Sequence, residues 1–359
     1  MCVTSLDSGN EATAAKQGAT RRFKGWLLEH ANVQTILPVT IGLGMLAYVS
    51  SVAAAPRSAS ELEQVLSQTW LPILLLTFPY LIARALVWYR LLGQLGIHVP
   101  VRQAAVSFSG GEMTKSLPGG VYVENYLLGR LVHFGRHSLI RSSMATTAML
   151  GLEALLAVPA ALIIGVPGKR WLFWLILGVV CFWLVALFLG WIVAHNWAHG
   201  ERAERHKTVG RAARTAEEFL HAGRELLTWE TLVQCIPTAL YMLVYVIDLY
   251  IIVHSLGITT VTFVDTISVY AFVVLAVILV PTPTELGITE FTGLGVLLAY
   301  GVPQSVAAVA MLSLRLLATG LTIAVSGLVL FFLRDELSQA AEADSGRAPA
   351  AEQERFGET

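Results

Sequence analysis

Ten ionisable side chains fall within or at the edge of this chain's apolar stretches: Arg84, Glu112, Lys115, Glu124, Glu153, Asp248, Asp265, Glu285, Glu290 and Arg315. A charge at the centre of a spanning helix costs about 2.5–3.5 kcal/mol on insertion scales, so these groups must pair, face a bundle interior or line a wet path. Five of them gather in two short stretches rich in Pro and Gly. Residues 107–124 carry Glu112, Lys115 and Glu124 beside Pro118 and Gly119, and residues 280–290 carry Glu285 and Glu290 beside Pro283 and Gly287. Helix breakers free backbone groups that hydrocarbon cannot bond, so such a segment survives at membrane depth only under protein cover or beside a water-filled cavity. Paired interrupted segments of this kind point to a transport site.

Each stretch admits two readings. Glu112, Lys115 and Glu124 either line a polar cavity that receives a headgroup or a proton, or sit at a hairpin tip in headgroup water. Glu290 falls near the start of the apolar segment 286–301, where a carboxylate is favoured by the positive helix end. Its neighbours Pro283 and Gly287 favour a functional site. Arg315 lies deep in the last apolar run, and a guanidinium there suits a carboxylate or a phosphate, both of which it can grip with two parallel bonds. Arg84 can play the same part or snorkel, since Arg90 marks a nearby boundary. Glu153 and Asp248 are single acids on apolar helices, either ion-pair partners or proton-coupling groups.

The elements that must hold these groups are helices in a membrane. The 359 residues are 55% hydrophobic and 14% charged, against about 25% charged in a soluble domain, and mean hydropathy is +0.65. Apolar runs at 33–54, 69–92, 142–166, 171–195, 230–256, 262–280 and 303–333 approach or exceed the roughly 20 residues of a span. The two broken stretches add shorter apolar pieces at 101–128 and 286–301. The fold class expected is therefore all-α, a polytopic membrane bundle of about eight crossings with re-entrant or broken helices, and an inverted repeat relating the two breaks is open.

Basic residues set the orientation. Lys16, Arg21, Arg22 and Lys24 precede the first span; Arg90, Arg102, Arg130, Arg136 and Arg141 flank the first broken stretch; six more lie within 196–229. By the positive-inside rule these regions are cytoplasmic, which makes 101–128 a re-entrant hairpin and puts both termini inside the plasma (inner) membrane. Residues 1–32 read as a cytoplasmic segment, 33–333 as the membrane domain and 196–229 as a cytoplasmic amphipathic helix. Residues 334–359 are Ala-, Glu- and Gly-rich without apolar period, the composition of a disordered tail. The first apolar run, at 35–55, exceeds the ~7–15 residues of a signal core and reads as an uncleaved anchor.

Several chemistries have no signature. Cys2, Cys181 and Cys235 form no CxxC or Cys/His spacing, so neither a disulfide framework nor a metal site is read. There is no phosphate-loop motif, so no nucleotide cofactor is expected, and a net charge of -1 gives no field for nucleic acid. The histidines avoid both broken stretches.

Pro283, Gly287, Glu290, the turn Gly301-Val302-Pro303 and Arg315, together with Leu117-Pro118-Gly119-Gly120, resemble the flippase-like membrane domain of lysylphosphatidylglycerol synthases. The resemblance spans roughly 33–333. At Thr284-Glu285 this chain lacks the family's Gly-Gly pair, and Glu124 is a weak match for the acid of the first motif. The resemblance implies a transporter-like domain that moves a lipid between leaflets. It does not imply lysyl transfer, which in the synthases belongs to a separate soluble domain. Residues 334–359 are too short for one, so a free-standing member is expected.

The leading expectation is thus a lipid flippase that passes a polar headgroup between leaflets through a cavity where the two broken stretches meet, with membrane lipids as partners, a headgroup that is anionic or phosphate-bearing, and no cofactor. Arg315 and Arg84 would hold the anion, and Glu285, Glu290 and Glu112 would line the path. The alternatives are a membrane-embedded lipid-modifying enzyme using the carboxylates as general bases, and an accessory subunit of a lipid or glycolipid synthase. No acid–base cluster supports the enzyme, and an oligomer or a synthase partner stays open.

Overall fold

A computed structural model of the chain describes residues 33–53, 56–116, 120–166, 207–279 and 285–336, with scattered positions between 168 and 192. The apolar runs become α1 (Val33–Ala53), α2 (Pro56–Gln94), α5 (Arg136–Ile164), α8 (Cys235–Ser255) and α9 (Phe263–Leu279). The last run is one rod in three parts: α11 (Gln304–Leu314), a π-helical turn (Arg315–Thr319) and α12 (Gly320–Phe332). The described residues contain no strand. Four continuous helical stretches, 60–94, 136–164, 229–255 and 304–332, are long and apolar enough to cross a membrane, and shorter apolar helices accompany them. The molecule is an all-α polytopic bundle.

Several boundaries differ from the hydropathy pattern. α2 starts thirteen residues before the expected span, because the polar stretch after Pro56 continues the same helix. Pro72 and Pro79 lie inside it, which a membrane helix tolerates when neighbours re-satisfy the freed backbone. The expected span at 171–195 falls mostly outside the described residues, as do 1–32 and all of the tail beyond Glu336. Arg334–Glu336 still form a helical turn.

Both broken stretches are breaks in space. The first is α3 (Val101–Thr114), a 3-10 turn (Gly120–Tyr122) and α4 (Val123–Val132). α3 and α4 pack side by side. At the turn a Cβ on Gly120 would lie 1.7 Å from the carbonyl oxygen of Thr114, an overlap no side chain can relieve. The second leads into α10 (Ile288–Ala299). Leu117, Pro118 and Gly119, and residues 280–284 with Pro283, lie outside the described residues.

The amphipathic segment forms α6 (Lys207–Glu225), joined through the short α7 (Trp229–Val233) to α8. α6 lies against the start of α5. Arg136 donates to Thr215, and Arg141 donates to both oxygens of Glu225. Arg141 also reaches the Leu95 carbonyl at 2.8 Å. One guanidinium thereby ties together α5, α6 and the chain just past α2. In the core, α2 packs along α8, α5 along α9, α3 along α12, and α10 along α11.

Candidate functional site

Helices α2 and α8 carry a hydrogen-bonded cluster that begins with two i,i+4 pairs. Tyr80 and Arg84 share one face of α2, and Tyr241 and Tyr245 share one face of α8. Arg84 is 4% exposed. Its Nη1 donates to the Tyr80 hydroxyl at 2.6 Å, and its Nε lies 3.3 Å from Glu112 Oε1. Its Nη2 lies 3.8 Å from Glu153 Oε1. The Tyr80 hydroxyl passes its own proton toward Glu112 Oε2 at 3.3 Å and accepts from Lys115 Nζ at 3.3 Å. Tyr241 donates to Glu153 Oε1 at 2.8 Å. Arg84 therefore does not snorkel. It is held between acids from two other helices, Glu112 on α3 and Glu153 on α5.

The second site is built at the start of α10. Gly287 precedes the helix at φ 81°, a left-handed conformation that costs other residues about 1–2 kcal/mol. Its N–H donates to Glu290 Oε2 at 2.8 Å. The other oxygen, Oε1, accepts from Arg315 Nε at 2.5 Å. Glu290 is fully buried. Its carboxylate thus caps α10 at the positive helix end and anchors the arginine of the last helix. Arg315 opens the π-helical turn, and such single-turn bulges frequently occur at functional sites. Its Nη2 is buried and has no hydrogen-bond partner among the described residues.

These two constructions meet in one cavity. Arg84, Lys115, Glu153, Glu285 and Arg315 supply its charged lining. Tyr245 and Tyr270 stack with ring centres 5.4 Å apart on one wall, and Val274, Met311 and Leu314 are among its apolar contacts. Its volume is about 70 Å³, against the roughly 10–15 Å³ a single water needs. Several waters, or the oxygens of one compact polar group, fit.

The expected residues therefore divide. Arg315, Glu285, Arg84 and Lys115 line the cavity; Glu112, Glu290 and Gly287 stand behind them as ion-pair and capping partners. Glu124 is elsewhere. It is 3% exposed, accepts from Thr146 at 2.6 Å, and is absent from the cavity lining. Pro118, Gly119 and Pro283 lie outside the described residues. Asp248 is buried, and its Oδ1 has no hydrogen-bond partner among the described residues. The tyrosines were not singled out by sequence, although the i,i+4 spacing of Tyr80 with Arg84, and of Tyr241 with Tyr245, is visible there. Among the described residues no group of three or more His, Cys, Asp and Glu side chains is placed to hold a metal ion.

A family model described as the lysylphosphatidylglycerol synthase TM region matches residues 35–326. No curated protein and no solved structure matches the chain.

Proposed function

The chain belongs to the family of the lysylphosphatidylglycerol synthase TM region, a multi-pass membrane protein, and from that premise we propose that it moves a lipid with an anionic, phosphate-bearing headgroup between leaflets. The observation that carries the proposal is the convergence of Lys115, from the first break, Glu285, from the second, and Arg315, from the π-helical turn of the last rod, on one cavity inside an apolar bundle. A phosphate entering there would meet the unpartnered Arg315 Nη2 and the Lys115 ammonium, the donors that recognise such a group. The cavity is far too small for acyl chains, which would stay in the bilayer.

Helix lengths support the path. α3, α4 and α10, of 14, 10 and 12 residues, rise about 15–21 Å, short of the roughly 30 Å hydrocarbon core. In this proposal α3 and α4 form a re-entrant hairpin opening to the cytoplasm, and α10 is a half-helix whose N-terminus faces the same cavity. Both termini lie in the cytoplasm of a cell whose inner membrane holds the protein.

Labelled phospholipids in proteoliposomes test this. Translocation of an anionic phospholipid is expected, with a loss of tenfold or more for Arg315→Ala. Absence of translocation for every lipid class would sink the transport reading. Unchanged translocation in both Arg315→Ala and Glu290→Ala would sink the site while leaving the function.

A further inference from the structure

The cavity carries more negative than positive charge. Its cations are Arg84, Lys115 and Arg315; the carboxylates on it or paired to them are Glu112, Glu153, Glu285 and Glu290. Among the described residues three cations face four carboxylates, so the fully ionised cavity holds one surplus negative charge. Bringing in an anionic headgroup makes that two, in a place where water is scarce and uncompensated charge is costly. Something positive must enter with the lipid.

The geometry identifies the carboxylate left short. Arg315 is committed to Glu290. Arg84 has two acids to serve, and it sits closer to Glu112, at 3.3 Å, than to Glu153, at 3.8 Å. The Glu112 side also gains the Tyr80 hydroxyl. Among the described residues Glu153 has only the Tyr241 hydroxyl at hydrogen-bond distance. Both of its contacts fall on Oε1, which leaves Oε2 to take a proton. The remaining charged and titratable groups around it are Lys115 from α3, Tyr245 from α8, Tyr270 from α9 and Glu285 ahead of α10. Lys115 is the cation a headgroup would engage, so it cannot serve Glu153 at the same time.

We propose that Glu153 takes up one proton from solution for each anionic headgroup the cavity binds, coupling lipid movement to protons. The inference rests on the transport reading above, because it assumes that an anion enters. In the lipid-free cavity Glu153 faces Arg84 at 3.8 Å. When the headgroup engages Lys115 and Arg315, the proton lands on Glu153 Oε2, and Tyr241 continues to donate to Oε1. A proton gradient would then bias the leaflet in which the lipid accumulates.

Titration calorimetry of dihexanoyl phosphatidylglycerol into the full chain in neutral detergent tests this, run in two buffers of different ionisation enthalpy. This probe keeps a single negative charge near neutral pH, so any proton counted belongs to the protein. The expected result is one proton taken up per lipid and an affinity that rises about tenfold per unit as pH falls. Glu153→Gln, which imitates the protonated side chain, is expected to bind at least as tightly at high pH, with no uptake and no pH slope. Zero uptake by the wild type, or unchanged uptake in Glu153→Gln, overturns the proposal. If the probe does not bind, the headgroup reading fails, and infrared difference spectra settle the proton site separately. A carboxyl band that appears on acidification and is missing in Glu153→Gln keeps it; its absence in the wild type removes it.

Discussion

Removing Arg84 is the sharpest test of how the bundle tolerates its buried charge. Arg84→Ala deletes the cation that, among the described residues, lies within 4 Å of both Glu112 and Glu153, at a site only 4% exposed, where solvent screening gives little relief. Taking one partner from a buried pair costs about 3–5 kcal/mol, because the charge left behind is neither hydrated nor matched. Here two carboxylates are left and the Tyr80 hydroxyl loses its strongest donor, so the upper end of that range is expected. The assay is reversible unfolding in mixed micelles of rising SDS fraction, followed by tryptophan fluorescence. Glu112→Gln in the Arg84→Ala background removes one stranded charge and should restore about 1.5 kcal/mol or more, a coupling of the size seen for contacting residues. A destabilisation below about 1 kcal/mol for Arg84→Ala, or no relief in the double variant, would refute the idea that this guanidinium holds the cluster together.

Tyr241→Phe removes the hydroxyl that donates to Glu153 and should cost about 1–3 kcal/mol in the same assay, the range for leaving a buried acceptor unmatched. Gly287→Val forces a β-branched residue into the φ 81° conformation and should cost more than the ordinary penalty of about 1–2 kcal/mol. It should also weaken translocation, since the same turn positions Glu290 and, through it, Arg315. At the α5–α6 contact, the hydrogen bond from Arg141 holds the Glu225 carboxyl below its ordinary range. A depressed folded-state value means that its stabilisation is complete above the unfolded value, about pH 4.3, and is lost as pH falls through the folded one. The difference in melting temperature between wild type and Glu225→Gln should therefore shrink as pH falls below about pH 4; a gap that persists in acid would exclude the pairing.

Much of the site was legible one residue at a time. Arg315, Glu285, Arg84 and Lys115 stand out in sequence because a charge in an apolar run is costly wherever it faces, and each lines the cavity. Glu290 carried two sequence readings, helix-start carboxylate and site residue. In the structure its carboxylate accepts from the Gly287 N–H at the helix start and from Arg315. Glu124 shows the limit. It looked equal to Glu112 in the same stretch, yet twelve residues and a turn separate them. Glu112 faces Arg84, while Glu124 faces Thr146 on α5.

Sequence alone determined that the chain is a helical membrane bundle with two interrupted segments, because length, apolarity and helix breakers are local properties. It could not determine which charge meets which. Glu153 is 69 residues from Arg84 and 88 from Tyr241, and it joins them only because α2, α5 and α8 pack together. Nor could it count the charges that meet in the cavity, three cations facing four carboxylates among the described residues. Pairing at membrane depth is a matter of distance across helices, and that distance is decided by packing.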